Sequence, residues 1–378
     1  MLRRKEKAVL ITDQRALKRR HMDTDRNKAR RAIEEAVDRA AERMSMCCGA
    51  SVGSPVVPSS ESVFSVGRIV ESEEGVFMET TRKTGGGVIV RLIVEDPGFF
   101  LFPGRIVGVH GECVDGVSFR VERFHREERA LAKQTAVGKA STVVAVGPFV
   151  FSGEAENNLH RVLAFVAEKR PSLFILAGPF TEIDEDEEDS VHMFGEIENM
   201  LERICGGVPE METVVVPSID DHDASFVYPQ PSFHGEGRSF RLFPNPVLFH
   251  LGSACFGLTS VDAIGAVRRT LIGREKTEDL FRECCESLLE QRSFYPVFSS
   301  AEEIPLDSSA IGLLEMTHTP DFMIVGSSAE NRHEKINGTI FICLRRSTGQ
   351  SVSVATVETK DGESVVEWSR GKADRLLY

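Results

Sequence analysis

Val143-Val144-Ala145-Val146-Gly147-Pro148-Phe149 is one of three places in this chain where an apolar run ends in a bare loop. The second is Leu173-Phe174-Ile175-Leu176-Ala177-Gly178-Pro179-Phe180, and the third is Val214-Val215-Val216-Pro217-Ser218-Ile219. Each run is short, strand-like and closed by Gly or Pro. In open α/β sheets, sites form at the carboxyl ends of strands. A binuclear metal centre there needs Asp, His and Asn, because such cations take oxygen and imidazole donors. Here Gly147, Pro148, Gly178, Pro179, Pro217 and Ser218 stand in those positions, and none carries a carboxylate or an imidazole. The sequence therefore reads as the skeleton of an enzyme without its chemistry, which points to a scaffold with no catalytic residue, metal or cofactor.

Composition sets the bounds. The 378 residues suffice for two domains, and 41% hydrophobic with 27% charged residues gives material for a proper core. A formal net charge of -13 argues against the whole chain coating nucleic acid. The eight cysteines include the neighbours Cys47-Cys48 and Cys284-Cys285 but no CxxC spacing, which argues against a structural zinc site, and cysteines scattered at apolar positions such as Cys255 and Cys343 fit a reducing compartment. No run of 18 apolar residues is present, so no membrane span or membrane partner is expected.

The pattern divides the chain into three stretches. Residues 1–60 read as a basic helical arm and a Gly/Ser/Pro linker. Ala32, Ile33, Ala36, Val37, Ala40 and Met44 fall at helical spacing, yet the apolar face is weak, so the arm is expected to be separable from the fold. Its Arg-Lys groups at 3–5 and 18–20 fit a nuclear-import signal or a nucleic-acid contact. Residues 61–128 hold five short runs of β-branched residues between Gly turns, the signature of a small OB-fold barrel. Phe77, Phe99 and Phe100 fit a base-stacking role less well than a place in the core or an interface. Residues 135–378 alternate strands and helices and then turn to antiparallel strands, as in a two-sheet α/β sandwich, before a polar tail that holds Trp368.

A series of segments runs through the chain in a set order. First come Leu101-Phe102-Pro103-Gly104-Arg105-Ile106-Val107-Gly108-Val109, the two Gly-Pro-Phe loops, Val216-Pro217-Ser218 and Val227-Tyr228-Pro229-Gln230-Pro231-Ser232-Phe233. Phe256-Gly257-Leu258-Thr259-Ser260-Val261-Asp262, Gln291-Arg292-Ser293-Phe294-Tyr295-Pro296 and Thr319-Pro320-Asp321 follow. Segments in this order resemble the B-subunit family of the DNA polymerase α–primase complex, and the resemblance covers 62–378. It implies an OB-fold followed by a calcineurin-like phosphoesterase domain that has lost its metal ligands. It also implies a nuclear replication protein that grips the zinc-bearing C-terminal domain of the catalytic polymerase subunit, works beside primase and meets DNA weakly or indirectly. Tyr228, Pro229 and Phe233 are placed by it near the partner interface.

Two other readings stay open. The chain also fits the corresponding accessory chain of polymerase δ or ε, since these share the architecture. An active metal-dependent phosphoesterase would need ligands, and the candidates are Asp220, Asp221, His222 and Asp223, joined by His318 and His333. One such cluster does not hold two ions about 3.5–4 Å apart. The acidic run from Glu182 to Asp189 reads as a solvated loop rather than a cation site.

Overall fold

A computed structural model describes residues 10–12, 26–58, 61–95, 99–126, 140–151, 158–182, 190–222, 224–235, 239–273, 279–298, 304–348, 351–360 and 363–371. The chain forms two compact units. One comprises Met22–Ala130 with Ala263–Met316, and the other Met1–His21, Leu131–Asp262 and Thr317–Tyr378.

The first unit is built on a closed barrel of β1 (Val63–Ser72), β2 (Gly75–Glu79), β3 (Ile89–Val94), β4 (Ile106–Cys113) and β5 (Ser118–His125), in the order β1-β2-β3-β5-β4. Alternation places every second side chain inside: Val90 and Leu92 are buried while Ile89 and Arg91 face out. Ile69, Met78, Val107, Val109 and Phe119 complete the interior. Phe100 is buried, and Phe99 stacks on Phe124 with ring centroids 3.8 Å apart.

The N-terminal helix, Arg26–Cys48, corrects the expectation of a separable arm. Val37, Ala40, Ala41 and Met44 are buried, a stripe at the three-and-four spacing of one helix face. Ala41 and Met44 pack on Phe64 and Val66 of β1. Arg39 and Arg43 both reach Glu315, at 2.9 and 3.6 Å, and Thr81 donates to Asp38 at 2.6 Å. The stripe is narrow and built largely of alanine, so little hydrophobicity is needed to let the helix lie close.

A second correction concerns Ala263–Met316, expected within one block from 135 to 378. These residues belong to the barrel's unit. Arg105, 3% exposed, pairs with Glu290, 4% exposed, at 2.8 Å. Burial pushes the guanidinium down to about 10, with Glu290 opposing the shift. The Gln291 side chain behaves as a substitute backbone, accepting from Ile106 N–H at 2.8 Å and donating to its carbonyl at 3.0 Å. A Cβ on Gly104 would stand 2.6 Å from both Phe298 N and Pro296 O. The sequence segments Leu101–Val109 and Gln291–Pro296 thus meet each other.

The second unit is a sandwich of two sheets. One holds β6 (Ala140–Val146), β7 (Leu173–Ala177) and β8 (Glu212–Val216) in parallel, flanked at one edge by Arg241–Leu242. The other sheet runs Leu10–Thr12, β9 (Val247–Leu251), β10 (Ala254–Thr259), β11 (Phe322–Ser327), then β13 (Thr339–Arg345) and, at its edge, β12 (Arg332–Ile336). The first sheet continues past β6 into antiparallel β14 (Val352–Lys360) and β15 (Glu363–Gly371). The expected polar tail is therefore an edge strand as far as Gly371, with Val366 buried, Val365 exposed and Trp368 partly buried against the core. Its polar residues misled because an edge strand buries only alternate side chains.

The apolar runs quoted first are buried on both faces. Val144, Val146, Ile175 and Val216 point between the sheets toward Phe249, Phe256 and Ile324. Val143, Ala145, Phe174 and Val215 face helices Asn158–Lys169 and Ser190–Gly206 through Leu159, Val162, Leu163, Val166 and Leu201. Continuous apolar runs are what a covered parallel sheet requires.

Candidate functional site

The three bare loops come together at the carboxyl ends of β6, β7 and β8. Gly147 N–H donates to Ala177 O at 3.0 Å, and Gly178 N–H to Val216 O at 2.9 Å, so each strand end is tied to the next. Side chains have no room at the two glycines. A Cβ on Gly147 would lie 1.7 Å from Pro179 O, and one on Gly178 would lie 2.1 Å from Asp221 Oδ2. Real Cβ contacts do not approach within 3.0 Å. An aspartate or histidine at either position has to displace existing atoms first. Ser218, at the third end, is buried.

Asp221 does structural work. It is 6% exposed, accepts from Phe180 N–H through Oδ1, and accepts from Ser218 N–H at 2.8 Å through Oδ2. One carboxylate thus clamps the loop after β7 to the loop after β8. Asp220 points elsewhere and pairs with Arg346, which follows β13. Ser347 donates from its hydroxyl to Val146 O and from its N–H to Gly147 O at 2.9 Å, fastening that same loop to the end of β6.

Above these ends lies a cleft of about 980 Å³. Pro148, Pro179, Ile219 and Phe226 give it apolar surface, and Asp220, His222, Arg345 and Arg346 give it charge and polarity. Of the candidate metal ligands, Asp220, Asp221 and His222 line it. His318 and His333 do not. His318 packs edge-on against His250 with centroids 5.9 Å apart, and His333 accepts from Trp368 Nε1–H at 3.0 Å. Asp223 and residues 183–189 of the acidic run lie outside the described residues. Among the described residues no three His, Cys, Asp or Glu side chains converge as a metal site.

The three residues expected near a partner interface, Tyr228, Pro229 and Phe233, are buried within this chain. Tyr228 is fully buried, its hydroxyl 3.0 Å from Thr259 Oγ1, and Phe233, 5% exposed, packs edge-on against Phe180. Pro229 is buried beside Tyr228. Their neighbour Gln230 donates to Ser218 O at 2.9 Å and accepts from Asn245 Nδ2–H at 2.7 Å; Asn245 also donates to Ser260 Oγ at 2.7 Å, and Ser260 donates to Pro217 O at 2.8 Å. This buried polar network fixes the end of β8 from beneath. Sequence reading missed Asn245, which sits in Pro244-Asn245-Pro246 with no other signal.

A family model for the B subunit of DNA polymerases alpha and epsilon matches residues 142–334. Curated relatives include the B subunit of DNA polymerase alpha from Schizosaccharomyces pombe, 27% identical with 86% of this chain and 66% of the relative covered. Its Drosophila melanogaster counterpart is 28% identical over 64% of this chain and 41% of the relative, and the Mus musculus counterpart 25% over 76% and 52%. The chain therefore spans less than two thirds of the length of these relatives. Among solved structures, a Vps29 double mutant from Entamoeba histolytica covers 61% of this chain and 99% of its own, at 11% identity and a TM-score of 0.30. A Streptococcus pneumoniae protein described as a predicted phosphoesterase covers 62% and 91%, at 11% identity and a TM-score of 0.30. With the family model matching just over half of its length and these curated relatives named for the same component of polymerase alpha, the chain belongs to the B-subunit family of DNA polymerases alpha and epsilon.

Proposed function

We propose that this chain is the non-catalytic regulatory subunit of a DNA polymerase α–primase assembly, acting in the nucleus in the initiation of DNA replication. It holds the C-terminal domain of the catalytic polymerase subunit and helps to place it relative to primase. On this reading the barrel is an OB-fold, whose strand order β1-β2-β3-β5-β4 fits that fold. The sandwich is a calcineurin-like phosphoesterase fold, and Gly147, Pro148, Gly178, Pro179, Pro217 and Ser218 mark where its metal ligands stood. The observation that carries the non-catalytic half is steric: at Gly147 and Gly178 a Cβ would fall 1.7 and 2.1 Å from existing atoms. The curated relatives, named as B subunits of polymerase alpha, support the polymerase assignment.

The test is to purify the tagged chain from its own cells and identify the co-purifying catalytic subunit. Recovery of the α catalytic chain with primase is expected; recovery of the δ or ε chain in its place moves the assignment. The same preparation is expected to release nothing from bis-p-nitrophenyl phosphate. A metal-stimulated activity lost in Asp220→Ala with His222→Ala would end the non-catalytic reading.

A further inference from the structure

The cleft at the strand ends has kept features that a plain scaffold does not need. Its volume of about 980 Å³ falls at the upper end of small-molecule pockets. Two guanidinium groups, Arg345 and Arg346, line it in a chain whose net charge is -13. The carboxylates nearby are spoken for: Asp220 by Arg346, and Asp221 by the N–H groups of Phe180 and Ser218. Arg345 is exposed and has no ion-pair partner among the described residues. Phe226, also lining the cleft, is 59% exposed, an unusual place for an aromatic ring. Pro148, Pro179 and Ile219 extend its apolar surface.

We propose that this cleft binds a nucleoside phosphate without hydrolysing it, the phosphate held at Arg345 and Arg346 and the base laid against Phe226. The guanidinium fork matches phosphate oxygens in geometry as well as charge. A phosphate alone would leave Phe226 and the prolines unused, and an apolar side chain alone would leave the arginines unused. A nucleobase presents a flat π face to the ring while its phosphate meets the cations, and stacking of this kind is indifferent to base identity. Arg346 is oriented by its ion pair with Asp220, which offsets its charge, so Arg345 supplies the net positive charge and Arg346 adds fixed donors. This chemistry has two sources, a free nucleotide and the phosphorylated end of a single strand.

Calorimetric titration of the full chain tests this, with deoxyadenosine monophosphate, deoxyadenosine, inorganic phosphate, and oligothymidylate with and without a terminal phosphate. Saturable binding of the monophosphate or of the phosphorylated oligonucleotide is expected, weaker by at least about tenfold for the unphosphorylated counterpart, a difference of about 1.4 kcal/mol. Which of the two binds tells the source. Arg345→Glu is expected to lose at least about tenfold and Phe226→Ala several-fold, with Arg345→Lys intermediate. Both side chains are exposed, so an unchanged melting midpoint certifies each variant. Absence of saturation by every phosphate ligand at about millimolar concentration overturns the proposal. So does inorganic phosphate binding as tightly as the nucleotide with Phe226→Ala silent, which would mark a bare anion site. Release of inorganic phosphate from the monophosphate would overturn the non-catalytic function proposed above and leave the binding in place.

Discussion

At Gly178 a hydrogen stands where the smallest side chain would collide with the carboxylate of Asp221. The two residues are therefore one device, and their substitutions should not add. Gly178→Ala is expected to cost about 1–3 kcal/mol through overpacking. Asp221→Ala, which strands the N–H groups of Phe180 and Ser218, should cost a similar amount. In the double variant the colliding oxygen is gone, so its loss, measured by urea unfolding, should fall short of the sum; strict additivity would show that the clamp and the glycine are independent. The sequence made half of this visible. Glycines and prolines at strand ends announced that ligands were missing. That Asp221, an apparent ligand, had become a clamp was not legible, because an aspartate in a loop carries no mark of which donors it faces.

At the level of elements, the Arg26–Cys48 helix is the clearest case. Its periodicity was readable at Val37, Ala40 and Met44, but alanine is as good a helix former in solvent as in an interface, so the stripe did not reveal that it was covered. Met44→Ala, at 2% exposure, should cost about 2–5 kcal/mol, while Met46→Ala, at 81%, should be silent within about 0.5. Equal effects would mean the helix does not pack on β1. The same seam carries a pH dependence. Cys48 Sγ lies 3.1 Å from His125 Nδ1, and His125 in turn contacts His110. Burial and then Arg123 hold both imidazoles below their usual range, with Glu122 opposing at His110 and His110 itself adding at His125. A cationic group with a depressed folded pKa binds fewer protons folded than unfolded, so stability falls as pH drops below the unfolded value near 6.5. The melting midpoint should therefore decline from about pH 7 to about pH 5, and His110→Gln with His125→Gln should flatten that decline. An unchanged slope would place the acid sensitivity elsewhere.

For the molecule as a whole, the α/β character, the barrel and the sandwich were open to sequence reading because each rests on local periodicity. The membership of Ala263–Met316 was not, since it rests on pairings between residues far apart in the chain. Arg105 is the test of that membership. Arg105→Ala leaves the buried Glu290 with the more distant and half-exposed Arg126, 3.8 Å away, and should cost about 3–5 kcal/mol in urea unfolding, whereas Arg105→Met with Glu290→Leu should recover most of it. A small effect of the single change would mean the pair is solvated. The same pairing has a temporal side. Glu290 follows Arg105 by 185 residues, with the strands of another unit in between. At a synthesis rate of about 5–20 residues per second, Arg105 is added to the chain roughly 10–40 s before Glu290. Through that interval a barrel that closed early would have to carry a lone cation in its wall. The nascent chain therefore meets a reason to delay closure, and the stretch exposed meanwhile, rich in Val and Phe, is where holding chaperones would be expected to bind.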